Sequence, residues 1–181
     1  MTSSEIIAKI ESQFPNFELQ KKLDVIDPWL EVAPAQIVPI CQFLRDDSSC
    51  AFDLLNSISG VDYLETDAKK VAKAGFEPHL EVVYHLSSFR YRHRFVLKIR
   101  LPRVICAEDG TPMPDRLPEV PSVASIWPAA DWHEREVFDL FGIHFKDHPD
   151  LRRILLADDW VGYPLRKDYE FPLEYHGIRC R

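Results

Sequence analysis

Several features that organise catalytic sites are scarce or scattered in this sequence. The six glycines (60, 75, 110, 142, 162 and 177) are isolated from one another, so neither a P-loop nor GxGxxG nor GxSxG can be assembled. Cysteines stand at 41, 50, 106 and 180 without any CxxC pair. That spacing argues against an iron–sulfur cluster or zinc ribbon held within the chain, and free thiols are expected. No stretch approaches the roughly 20 apolar residues that span a bilayer. The opening MTSSEIIAKIESQF has acids at Glu5 and Glu11 and no basic region leading into an apolar run, so a secretory signal is not expected. A cytoplasmic setting follows, with only indirect membrane association. Basic charge is in deficit, at a net charge of −7, so a polyanion is repelled overall.

What is present is an ordinary globular mixture, 46% hydrophobic and 28% charged over 181 residues, enough for one domain with its own core. Thr2 and Glu5 have capping-box spacing, and Ile6, Ile10 and Phe14 recur every four residues, predicting a first helix up to Pro15. A strand is expected at residues 29 to 32 and a helix from Pro34 to Arg45, with Ile37, Ile40, Cys41 and Leu44 on one stripe. FDLLNSISGVDYLE, residues 52 to 65, reads as a buried strand. HLEVVYHL and RFVLKIRL alternate as two adjacent strands facing one core. Six prolines between Pro102 and Pro128 preclude a long helix and suggest a path across the surface. A helix from Ala129 to Phe141 closes at Gly142. Beyond Leu156 no period holds, yet WVGYPLRKDYEFPLEY carries five aromatic residues.

The densest chemistry lies in DWHEREVFDLFGIHFKDHPDLRRILL, residues 131 to 156. His133-Glu134 opens an HExxH zinc pattern, but Val137 stands where the second ligand belongs. His144 and His148 lie outside any helix that would set ligand spacing, so surface or hydrogen-bonding histidines are the preferred reading. Asp131, Arg135 and Asp139 fall at i, i+4 and i+8, a structural ion-pair pattern. Glu134 and Glu136 project to either side of Arg135, so they reach different neighbours and do not converge as an acid/base pair. A second function class comes from FRYRHRF, residues 89 to 95. It interleaves aromatics with arginines as single-stranded RNA binders do, or it is simply the connection of a hairpin.

Five segments occur in order: Glu134-Arg135-Glu136, Asp139-Leu140-Phe141-Gly142, His148-Pro149, Leu151-Arg152-Arg153-Ile154-Leu155 and Tyr163-Pro164-Leu165-Arg166-Lys167-Asp168-Tyr169. Together they resemble the C-subunit family of NADH-quinone oxidoreductase, respiratory complex I (the thirty-kilodalton subunit family). The resemblance is strongest over residues 122 to 170, looser through the two upstream strand segments, and one of pattern only in residues 1 to 45. It implies an α+β fold, a mixed sheet flanked by helices, with residues 1 to 156 as the domain. Residues 157 to 181 would be an extended arm docking on a partner, the D subunit of the same complex. It also implies that no cofactor is bound by this chain: FMN, iron–sulfur centres and quinone sit in partner subunits of a peripheral arm on the cytoplasmic face of the inner membrane. Electrons there pass from NADH to quinone and drive ion pumping.

The motif residues just quoted are the candidate interface. Val137, Leu140 and Phe141 form an apolar helix face expected to dock on the sheet while the acids point outward. Arg152, Arg153, Arg166 and Lys167 form a basic edge that either pairs with this acidic helix or meets a partner of opposite sign. On the interface reading, replacing Arg166 and Lys167 by Ala leaves the melting temperature nearly unchanged.

Overall fold

The computed structural model describes residues 1–67, 69–107, 109–113 and 115–180. Helix α1, Ser3–Gln13, starts where the capping box places it. The Thr2 hydroxyl accepts the Glu5 N–H at 3.3 Å, and the Glu5 carboxylate accepts the Thr2 N–H at 2.8 Å, so two otherwise orphan donors are satisfied reciprocally. Strands β1 (Leu19–Lys22) and β2 (Trp29–Val32) follow. A 3₁₀ turn at Pro34–Gln36 leads into α2, Ile37–Asp46.

Next come β3 (Leu54–Tyr63), β4 (His79–Ser87) and β5 (Arg94–Leu101). The sheet order is β1-β2-β5-β4-β3, with β2 parallel to β5 and every other pair antiparallel. The fold is therefore α+β with a mixed five-stranded sheet. Residues directly opposite across a ladder share a face. Leu80, Val82, Tyr84 and Leu86 thus line up with Leu101, Ile99, Leu97 and Phe95. These side chains join Ile6, Ile10, Ile40 and Leu44 of the two helices in one buried cluster. The opposite face is polar: Glu81 lies between His79 and Lys98, at 3.3 and 3.0 Å.

Two sequence expectations need correction. The proline-rich stretch does not stay on the surface. Its second half carries β6 (Glu119–Pro121) and buries Val120, Val123, Ile126 and Trp127. Trp127 Nε1–H donates to the Phe52 carbonyl at 2.9 Å. Proline forbids a long helix but not a short strand that it ends, as Pro121 does here. The stretch 89–95 is the hairpin connection and the first residues of β5, with Phe89 exposed but the other rings engaged by this chain. His93 is buried with Nε2 at 2.8 Å from the Cys50 carbonyl, Phe95 is in the core, and the Tyr91 hydroxyl is tied to the Ser48 carbonyl. The RNA reading has no support.

Helix α3, Ala130–Phe141, connects β6 to its parallel partner β7, His144–Lys146. The chain then runs without regular structure to a small hairpin, β8 (Glu174–Tyr175) and β9 (Ile178–Arg179). Among the described residues, no helix is long and apolar enough to cross a membrane.

Candidate functional site: a charged collar around the third helix

Helix α3 ends at Gly142, whose φ of +64° lies in the left-handed region. A Cβ there would also sit 2.4 Å from the Tyr163 ring, so both backbone and space require glycine. Gly60 on β3 serves a related end: a Cβ would meet the Phe141 ring at 2.5 Å, and its absence lets α3 approach the sheet closely.

The acids of α3 do not all point outward, which corrects the sequence expectation. Glu134 and Asp139 are fully buried and Arg135 nearly so, whereas Glu136 is exposed. The helix is enclosed on two sides, by β3 and by the loop after β6. Ala130, Glu134 and Val137 share its buried stripe at i, i+4 and i+7. Glu134 Oε2 accepts from the Ser122 hydroxyl at 2.5 Å and Oε1 accepts from the Val123 N–H at 2.7 Å. Burial outweighs these bonds and raises its pKa to about 7. Burial also raises the Tyr84 hydroxyl and the Cys41 thiol, with the Glu134 charge adding to both.

Arg135 pairs with Asp131 at 2.8 Å and lies over the Trp132 ring at 4.1 Å. Asp139, the other bracketing acid, turns elsewhere. Its Oδ2 receives three successive backbone N–H groups, from Ile154, Leu155 and Leu156, at 2.7–3.0 Å, and its Oδ1 receives Arg153 Nη1 at 2.9 Å. Burial alone would raise this carboxyl, but the converging donors hold it below the usual carboxylate value. Arg153 continues to the Gly162 carbonyl at 3.1 Å. His148 has a fully buried side chain. Its Nε2 lies 3.1 Å from the Asp131 carbonyl, and its Nδ1 accepts the Asp150 N–H at 3.0 Å. A carbonyl only accepts and an amide only donates, so the ring is the neutral Nε2–H tautomer, with both nitrogens occupied.

The PLRKD segment closes the collar. Leu165 N–H donates to the Leu140 carbonyl, and Arg166 donates to the Phe141 and Gly142 carbonyls at 2.7 and 3.1 Å. The last carbonyls of α3 therefore find their donors in a segment over twenty residues later. Tyr163 carries the guanidinium groups of Arg153 and Arg166 on its ring, at 5.3 and 5.2 Å. Pro164 is half-buried beside it. Lys167 contributes its backbone N–H to Asp62 at 2.8 Å while its side chain faces solvent. Tyr169 donates its hydroxyl to the Val161 carbonyl.

Two members of this collar carry no local signal strong enough to single them out in the sequence. Asp62, on the core face of β3, is gripped bidentately by Arg103 at 2.7 and 2.9 Å, and Arg103 also holds Asp168 at 2.7 Å. That grip lowers the Asp168 carboxyl and raises Arg103. A lone acid within an otherwise uncharged strand, LLNSISGVDY, is the one hint available. Arg152 stays outside, exposed and, among the described residues, paired only with Asp150.

The arrangement is thus a set of buried charges satisfied within the chain, and the same part of the sequence, residues 132 to 178, also carries exposed apolar side chains. Trp132, Leu155, Val161, Leu165, Leu173 and Ile178 are each half or more exposed. Among the described residues, no three His, Cys, Asp or Glu side chains gather as a metal site.

Known proteins resemble the chain in sequence and in fold. Residues 30–175, which include the whole collar, match the family described as "Respiratory-chain NADH dehydrogenase, 30 Kd subunit". The chain is 41% identical to the C subunit of NADH-quinone oxidoreductase from Salinispora tropica, with 96% of this chain aligned but only 64% of that relative. It is also 41% identical to the C subunit from Roseiflexus castenholzii, covering 90% of this chain and 81% of the other. With the Hyphomonas neptunium C subunit it is 42% identical, over 96% of this chain and 73% of the other. A chain from "Structure of the membrane-bound sulfane sulfur reductase (MBS), an archaeal respiratory membrane complex" superposes with a TM-score of 0.65 at 26% identity, covering 92% of this chain and 85% of that one. With both sequence and fold in agreement, the chain belongs to the family of the 30 Kd subunit of the respiratory-chain NADH dehydrogenase.

Proposed function

We propose that this chain acts as the C subunit in the peripheral arm of a proton-pumping NADH-quinone oxidoreductase. It sits beside the subunits that frame the quinone site, chiefly the D subunit, and holds no cofactor of its own. FMN, iron–sulfur centres and quinone belong to the neighbours, and those neighbours keep the chain at the cytoplasmic face of the inner membrane. The observation that carries this reading is a collar whose buried charges are satisfied within the chain while Trp132, Leu155 and Leu165 on its own segments stay exposed. A surface of that kind marks a protein–protein contact.

The candidate residues divide into two roles on this reading. Glu134, Arg135, Asp139, His148, Arg153, Tyr163, Pro164 and Arg166 shape the collar from within. Glu136, Arg152, Leu165, Lys167, Asp168 and Tyr169 line its outside and meet the partner, as does the rest of the arm, residues 170 to 181. The likeness to a chain of a sulfane sulfur reductase complex supports a docking module shared by complexes with different chemistry. Tagged protein purified from its native host should bring flavin and iron–sulfur absorbance that the recombinant chain alone lacks. Isolation of the native protein by itself, without either chromophore, would reject the reading.

A further inference from the structure

The two outer strands of the sheet are finished differently. β1 has four residues and exposes Lys21 and Lys22, the charges that commonly blunt a sheet edge. β3, at the other edge, is ten residues long and contains no Lys, Arg or Pro. Its sole charge, Asp62, is taken by Arg103 and the Lys167 N–H. Among the described residues, β4 is its only backbone partner. One ladder of a strand's amides and carbonyls therefore stands open, and such an edge is a template for pairing.

Alongside that edge runs a groove of about 390 Å³, floored by Ser57–Gly60 and walled by His133, Glu136, Phe141 and Leu165. Ile58 is buried in the core and the other floor residues, Ser57, Ser59 and Gly60, are small, so a chain can come within the roughly 4.8 Å that strand pairing needs. Glu136 is exposed and makes no hydrogen bond or ion pair among the described residues, unlike the other three acids of α3. We propose that the outer edge of β3 and the facing side of α3 form a strand-accepting groove. An extended segment of a partner chain pairs there with Ser57–Gly60 and sets a lysine or arginine against Glu136. A second copy of this chain fits less well, because LLNSISGVDY brings no cation to Glu136. This inference rests on the reading of the chain as one subunit of a larger assembly.

Site-resolved amide hydrogen exchange on the full chain, alone and within the native complex, tests it. In the free chain alternate amides across residues 56–61 should exchange fast; in the complex the same alternate set should slow by ~100-fold or more. Glu136→Arg should lower recovery of the chain with the flavin- and iron–sulfur-bearing material by at least ~10-fold, more at low salt than at high. Unchanged exchange at residues 56–61 in a preparation that retains both chromophores would overturn the groove and leave the assembly reading intact. Wild-type recovery by Glu136→Arg would do the same. Absence of the chromophores from wild-type material would overturn both. A concentration-dependent dimer of the isolated chain, abolished by Ser59→Lys, would assign the edge to a second copy and also reject the proposal.

Discussion

Leu97 in the body and Asp139 in the collar are both fully buried, but they are held in different ways. Leu97 packs among other apolar side chains of the sheet and of α1 and α2, contacts that have little direction. Asp139 depends on three particular N–H groups and one guanidinium. The body can therefore exchange one hydrophobe for another of similar volume, whereas the collar cannot exchange a carboxylate for anything that leaves its donors unpaired.

The sharpest way to break that contrast is to remove the carboxylate. Asp139→Ala should cost about 3–5 kcal/mol in urea unfolding, because it leaves three amides without their acceptor and takes the carboxylate from a partly buried arginine. Leu97→Met should cost under about 1.5 kcal/mol. A reversed order would mean that the collar is only a decoration of the body.

Glu134 sharpens the comparison through pH. Its folded pKa is about 7 against an ordinary value of 4.5, so between those values the folded chain holds a proton that the unfolded chain has released. Stability therefore falls as pH rises across that window. Glu134→Gln, which cannot ionise, should gain on the wild type between pH 4.5 and 7.5 by up to roughly 3 kcal/mol. Denaturation midpoints of both proteins against pH check this, and parallel profiles would refute it.

Arg166→Ala should cost about 1–3 kcal/mol, since two carbonyls at the end of α3 lose their donors. Lys167→Ala should be nearly silent, because its backbone N–H does the bonding. The structure thus replaces the expectation that the pair could be removed without change in melting temperature. The smallest effect is at the other glutamate of the triplet: Glu136→Gln should move stability by no more than about 0.5 kcal/mol. Equal effects of Glu134→Gln and Glu136→Gln at neutral pH would remove the inside–outside distinction between them.

Much of the architecture was legible because its signals are local. The Thr2–Glu5 capping box, the two-residue alternation of β4 and β5, and the terminal Gly142 each lie within one element. The motif carrying the family was legible for the same reason. The destinations of its charges were not. Ser122 meets Glu134 across a loop, and Arg103 meets Asp62 from 41 residues away, so no period in the sequence reports either contact. Carboxylates usually seek water, which points Glu134 outward; its place on the stripe of Ala130 and Val137 is the local signal for its burial.

The sequence by itself determined the three helices and the long strands β3, β4 and β5, that the chain can fold around its own core, and which family it belongs to. These depend on hydrogen-bonding geometry and hydrophobic spacing within a few residues. Only the tertiary structure decided which acids are buried and which face solvent, and that β3 would be left with an open edge. Burial of a charge depends on donors gathered from distant parts of the chain, and an edge exists only once the strand order is set.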